Sequence, residues 1–119
     1  NWTRDGKTII DSKLINECQA LPTVFYVGGR YHMYFCYRNA YNFRNNSNNS
    51  YRLGYAYSDD LIHWNRDDTK SGIDVTEAEC DSEMMFYPNT FECYGQIYML
   101  YNGNEFGKYG FGLAKLVEY

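Results

Sequence analysis

Long apolar runs are missing from this chain of 119 residues. No segment approaches the ~20 consecutive apolar residues of a membrane-spanning helix, so no membrane partner is expected. Positive charge is also in deficit: 11 Lys and Arg against 15 Asp and Glu leave a net charge of −4. Clustered cations drive binding to phosphate backbones, and their shortage argues against nucleic acid as a main partner. Histidine is scarce, and the four cysteines (Cys18, Cys36, Cys80, Cys93) form no Cys-x-x-Cys pair. No metal and no cofactor is expected on that pattern, and the thiols read as buried and free rather than bridged. A charged-then-apolar leader is absent as well, and the compartment is left open, with the cytoplasm favoured. Nor does any stretch carry a convincing 3.6-residue apolar period, so long helices are not expected.

What the chain does have is aromatic residues, 19% of the total with 14 tyrosines. Tyrosine suits strands, and its flat face and hydroxyl also suit sugar rings. Three Asn-x-Ser/Thr matches begin at Asn1, Asn45 and Asn48. Two of them fall in an Asn-rich loop where such matches arise by chance, so they carry little weight.

A repeat organises the rest. "PTVFYVGGRYHMYFCYR" from Pro22 lies over "PNTFECYGQIYMLYNG" from Pro88, matching Phe25 with Phe91 and Gly29 with Gly95. Downstream, "GYAYS" at Gly54 is aligned with "GFGLA" at Gly110, and "NWTRDGK" at the start resembles "HWNRDDT" at His63. Within a unit the runs alternate as strands do, with Gly28-Gly29 as a hairpin turn. A third run ends at Ser58-Asp59-Asp60, and a fourth short strand holds His63-Trp64. The expected fold is all-β: antiparallel β-propeller blades, about two of them with four strands each, over approximate units 1–62 and 63–119. A blade needs neighbours to bury its faces. The chain is therefore expected to be part of a longer propeller, or to complete a ring with other copies of itself.

That topology gathers polar residues at one end. Glu17 stands five residues before Pro22 and Glu83 five before Pro88, both at the start of an innermost strand. The loops "RNAYNFRNNSNNSYR" and "NGNEFGKYG" open on the same end. Arg38, Tyr41, Asn102 and Asn104 are thus expected to share a mouth with Glu17, Asp81 and Glu83. Paired carboxylates suit glycoside hydrolysis, one protonating the leaving oxygen and another activating water or attacking the sugar. Glu83, flanked by "MMFYP", is the first candidate acid and is expected in apolar surroundings; Glu17 is the second. Asp81 is read as holding a substrate hydroxyl or tuning Glu83, and Arg38 as clamping an anionic group or pairing with Glu17. Glu79, Asp59 and Asp60 read as solvated connectors, His32 and His63 as structural. Trp2 and Trp64 read as packing between blades.

"PTVFYVGGRYHMYFCYR", "GYAYSDDLIHWNR" and "DSEMMFYPNTFECYGQIYMLYNGNEFGKYGFGLA" resemble the five-bladed β-propeller glycosidase superfamily, which groups glycoside hydrolase families 43, 32 and 130. The similarity is greatest to glycosyl hydrolases encoded among bacterial surface-polysaccharide genes. The resemblance implies an oligosaccharide or polysaccharide ligand and catalytic carboxylates at the starts of inner strands, carried over to Glu83 and then Glu17. It departs at Cys80, where relatives have an aromatic residue, and the early-blade Asp and the Glu-Asp-Pro-Arg element have no counterpart. Two other readings stand beside hydrolysis. One is glycan binding without turnover, with Tyr41, Tyr101 and Tyr109 as stacking platforms; the other is a self-assembling module with no site.

Overall fold

The first half of the chain builds one antiparallel sheet. Its strands β1 (Glu17–Val27), β2 (Arg30–Asn39), β3 (Arg52–Ser58) and the short β4 (Asn65–Arg66) lie side by side in chain order. A second antiparallel sheet holds β5 (Phe86–Cys93), β6 (Gln96–Asn102) and β7 (Phe111–Lys115), again in chain order. The computed structural model describes residues 1–77 and 80–118; Glu79 lies outside them. Helical structure among the described residues is limited to single turns at Ser47–Asn49, Asp68–Lys70 and Asn104–Gly107.

Turn chemistry explains both hairpins. Gly28 and Gly29 have φ of 63° and 78°, and Tyr94 and Gly95 have φ of 49° and 76°. Positive φ at both central residues is what a tight type I′ hairpin requires. The first strand of each sheet also breaks register at one equivalent place, between Ala20 and Thr23 in β1 and between Phe86 and Asn89 in β5. Leu21 and Tyr87, each just before a proline, sit there at φ 49° and 54°. Proline has no N–H to give the ladder, and a bulge is where a strand tolerates it.

Cross-strand pairing corrects the repeat in the third strand. Phe35 of β2 faces Gly54 of β3, and Tyr101 of β6 faces Gly112 of β7. A methyl group on either glycine would run into that ring. The counterpart of Gly54 is therefore Gly112, not Gly110, and Ala56 opposite Met33 matches Ala114 opposite Met99. The aligned letters slipped by two residues, which keeps side-chain parity but misplaces the ring-over-glycine contact.

The sheets stack face to face. Tyr34, Cys36, Leu53 and Tyr55 from the first sheet bury against Phe86 and Met99 from the second and against Met84 and Met85 just before it. At the strand edges, Thr23 and Thr90 hydroxyls meet at 2.7 Å, and Thr90 N donates to Thr23 Oγ1 at 3.1 Å. The opposite face of the first sheet holds Met33, Phe35 and Ala56, with Ile10 of the N-terminal segment and half-buried Trp64 against them. Trp2 does not pack between sheets; it is 98% exposed, and its segment forms no strand. The fourth strand begins one residue after Trp64. All four cysteines are free, but only Cys36 is buried, and Cys80 and Cys93 are exposed.

Candidate functional site

The loop joining β2 to β3 and the loop joining β6 to β7 meet at the end where β1 and β5 begin. Phe43 of the first loop and Phe106 of the second stand 6.1 Å apart, edge to face. Tyr51 stacks on Phe86 at 4.9 Å and lies 6.1 Å from the Tyr87 ring. These five rings form an aromatic floor, and Tyr87, 43% exposed, and Phe106, 36% exposed, reach its surface.

Beside the floor, residues 80–85 are held without strand pairing. Asn104 does most of this: its N–H donates to Cys80 O at 2.6 Å, its Oδ1 accepts from Glu83 N at 2.7 Å, and its Nδ2 donates to Ser82 Oγ at 2.8 Å. Arg52 Nη1 donates to Glu83 O at 2.7 Å, and Met85 N to Tyr51 O at 3.1 Å. Gly103 lies so close to Cys80 O that a Cβ there would collide with it. Asp81 is buried, taking a hydrogen bond from Thr76 Oγ1 at 2.6 Å and another from Tyr101 Oη at 2.9 Å. Glu83 is exposed and has no ion-pair partner among the described residues. Its neighbours Met84 and Met85 turn into the core instead, so the apolar residues of this stretch do not enclose the carboxylate.

Glu17 and Glu83 occupy equivalent places four residues before the left-handed position of each inner strand, yet their surroundings differ. The Glu17 side chain is fully enclosed and bonded by Arg66 Nη1 at 2.7 Å and Gln19 Nε2 at 2.6 Å. Arg66 also bonds Asp68 at 2.9 Å, while its guanidinium lies over Phe35 and Tyr37. Burial by itself would raise the Glu17 pKa, but the bonds from Arg66 and Gln19 and the charge of Arg66 outweigh it and hold the carboxyl below its ordinary value. That is the setting of a structural anchor. Arg66, which completes it, sits 49 residues away in the chain, and only its Asp67-Asp68 neighbours hinted at a charge cluster.

Arg38 does not pair with Glu17. Its Nε donates to Tyr51 Oη at 3.2 Å and its Nη1 to Asn39 O at 3.1 Å, with the guanidinium 3.8 Å above the Phe43 ring. Tyr41 is exposed on the same loop, its N–H held by Asn39 Oδ1 at 2.9 Å. Asn102 lies at the end of β6, its amide close to Gly107. Tyr109 is exposed. Tyr101 is no stacking platform: its ring lies on Gly112 and its hydroxyl serves Asp81. Sequence reading passed over Phe43, Arg44, Tyr51, Tyr87 and Phe106; "NFR" inside the Asn-rich loop was the available signal. A separate cleft of about 400 Å³ opens between the sheets at the other, hairpin end, lined by Phe25, His32, Tyr55, Ile73, Met99 and Leu116. There His32 Nε2 donates to Val27 O at 3.0 Å, and Nδ1 lies 2.8 Å from Tyr55 Oη.

No known protein-family profile matches the chain. Two proteins of Mycobacterium tuberculosis, described as uncharacterized proteins MT1551 and Rv1502, are each 37% identical to it over 117 residues. Those matches take in 98% of this chain and 36% of each relative, so the chain spans about a third of the length of the curated relatives it matches. Among solved structures, Zg3597, a family 117 glycoside hydrolase of Zobellia galactanivorans, superposes with a TM-score of 0.64 at 13% identity, over 87% of this chain and 36% of that one. A second glycoside hydrolase gives 0.60 at 16% identity, over 94% of this chain and 30% of its own. An exo-1,5-α-L-arabinanase from a bovine ruminal metagenomic library gives 0.56 at 14% identity, over 82% and 34%. The fold is that of antiparallel β-propeller blades as found in glycoside hydrolases.

Proposed function

We propose that this chain forms part of a carbohydrate-active β-propeller, with the glycan bound at the end where β1 and β5 begin and Glu83 as general acid. One observation carries the assignment. Of two carboxylates at equivalent strand starts, Glu17 is enclosed and ion-paired while Glu83 is exposed beside an aromatic floor. Its backbone is fixed on both sides, by Asn104 at N and Arg52 at O. A general acid must be positioned and must reach its proton acceptor; flat rings next to it give a sugar a surface to stack on. The propeller glycosidases that share the fold support a carbohydrate ligand.

Hydrolysis needs a second carboxylate, roughly 5 to 9.5 Å from the first. Asp81 has both oxygens occupied by Thr76 and Tyr101, and Glu17 is committed to Arg66. We assign the partner carboxylate to a part of the propeller outside this chain, and Asp81 to positioning. In the intact protein, Glu83→Gln is expected to lower turnover of an unactivated oligosaccharide substrate by about a thousandfold, within the range of general-acid catalysis. Unchanged turnover with an unchanged circular dichroism spectrum would remove Glu83 from the mechanism.

The second reading, binding without turnover, draws on the exposed rings of Tyr41, Tyr87 and Tyr109. It expects oligosaccharide binding that Tyr87→Ala weakens, and no products in a prolonged incubation.

A further inference from the structure

Three of the six arginines in this chain find carboxylates. Arg30 pairs with Asp59, Arg52 with Asp74, and Arg66 with Glu17 and Asp68. Arg38 and Arg44 hold no carboxylate among the described residues, although acidic side chains outnumber basic ones in the chain by 15 to 11. Both guanidinium groups nonetheless crowd the same aromatic ring: Arg38 lies 3.8 Å and Arg44 4.9 Å from the Phe43 centroid, and Arg44 also lies 4.8 Å from Phe106. Arg4 also lacks a carboxylate, but it stacks on no ring among the described residues.

Two like charges gathered at one ring repel, and an anion beside them would relieve that repulsion. The donors for it are present. Of the five N–H groups of Arg38, Nε and one on Nη1 are used by Tyr51 and Asn39, which leaves three. Arg44 gives none to a described residue and is exposed. Ring contacts gather both guanidinium groups at Phe43, and a guanidinium is a planar fork of donors that matches carboxylate or phosphate. The Tyr51 ring that Arg38 touches belongs to the same floor as Phe86 and Tyr87, so anion and sugar sites adjoin.

We infer that the mouth selects a negatively charged glycan, with Arg38 and Arg44 reading an anionic group carried by the sugar. This rests on the glycan reading above and narrows its ligand class. A uronic acid carboxylate and a sugar phosphate share the required chemistry.

The test is calorimetric titration of the protein with three probes: tri-galacturonic acid, its carboxyl-reduced neutral trisaccharide, and that neutral trisaccharide phosphorylated at O6. Charge-assisted bonds predict that at least one charged probe binds about ten- to a hundredfold more tightly than the neutral one. Which charged probe is preferred separates carboxylate from phosphate. The double variant Arg38→Gln, Arg44→Gln is expected to bring the charged-to-neutral affinity ratio close to one. Should that variant misfold, Arg44→Gln alone, at an exposed position, is expected to lower the ratio part-way. Equal affinity for charged and neutral probes would overturn the inference while leaving the glycan reading intact. Binding of none of the three would overturn both.

Discussion

A single carboxylate shows how position and role separate in this fold. Glu17 resembles Glu83 in the repeat, but Arg66 and Gln19 hold it ionised below its ordinary value of 4.5, against burial that alone would raise it. A depressed folded-state pKa means that the unfolded chain binds the proton more readily. The resulting stability is therefore present above the ordinary value and lost as pH falls through the folded one. Glu17→Gln is expected to lower unfolding free energy by about 1–3 kcal/mol at pH 7, with Asp68 still neutralising Arg66. The difference from wild type should shrink below pH 4.5. Urea titrations at pH 7 and pH 3 check this, and an equal gap at both would mean the charge is not what Glu17 contributes. Tyr34 is the opposite case: burial first, then the nearby Tyr55, push its pKa up to about 12, so its hydroxyl remains a donor to Ser71 O at 2.6 Å.

Strands in this molecule are specified by contacts between neighbours. The β2–β3 pair closes because Phe35 lies flat over Gly54, and β6–β7 repeats the arrangement with Tyr101 over Gly112. Neither glycine is needed for a left-handed backbone; each is needed for space. Gly54→Ala and Gly112→Ala are each expected to cost about 1–3 kcal/mol as the ring is pushed off its rotamer. Phe35→Leu in the Gly54→Ala background should recover part of the loss if the collision is the cause. Guanidinium-chloride midpoints of the single and double variants decide it; a double variant no better than the sum of its parts would assign the cost elsewhere.

Across the whole molecule, two stacked sheets leave one broad face uncovered. On the side of the β5–β6–β7 sheet away from the first, Phe111 is 69% and Leu113 60% exposed, with Phe91 stacked on Tyr98 beside them. The corresponding side of the first sheet is the one buried against the second, through Tyr34, Cys36, Leu53 and Tyr55. A contiguous exposed apolar face of this kind promotes association. Sedimentation velocity of the 119-residue chain is expected to show concentration-dependent association that Leu113→Glu suppresses. A monomer at every concentration would mean that this face tolerates water.

Local patterns carried much of the fold. Period-two alternation and paired glycines made the strands and the first hairpin legible, and two prolines at matching positions marked the bulge in the first strand of each sheet, because these signals act between residues close in the chain. The third-strand register was misaligned by two residues, although "GYA" over "GLA" was available, and the rings of Phe35 and Tyr101 from the neighbouring strand identify it. The candidate site divides the same way. The sequence by itself placed Glu17, Glu83 and Arg38 at one end of a repeated β fold. Only the tertiary structure decided that Arg66 claims Glu17, that Asn104 and Arg52 fix Glu83 without covering it, and that Arg44 joins Arg38 over Phe43. Each outcome depends on the direction of side chains brought together from distant strands, and the spacing of residues along a chain does not contain that direction.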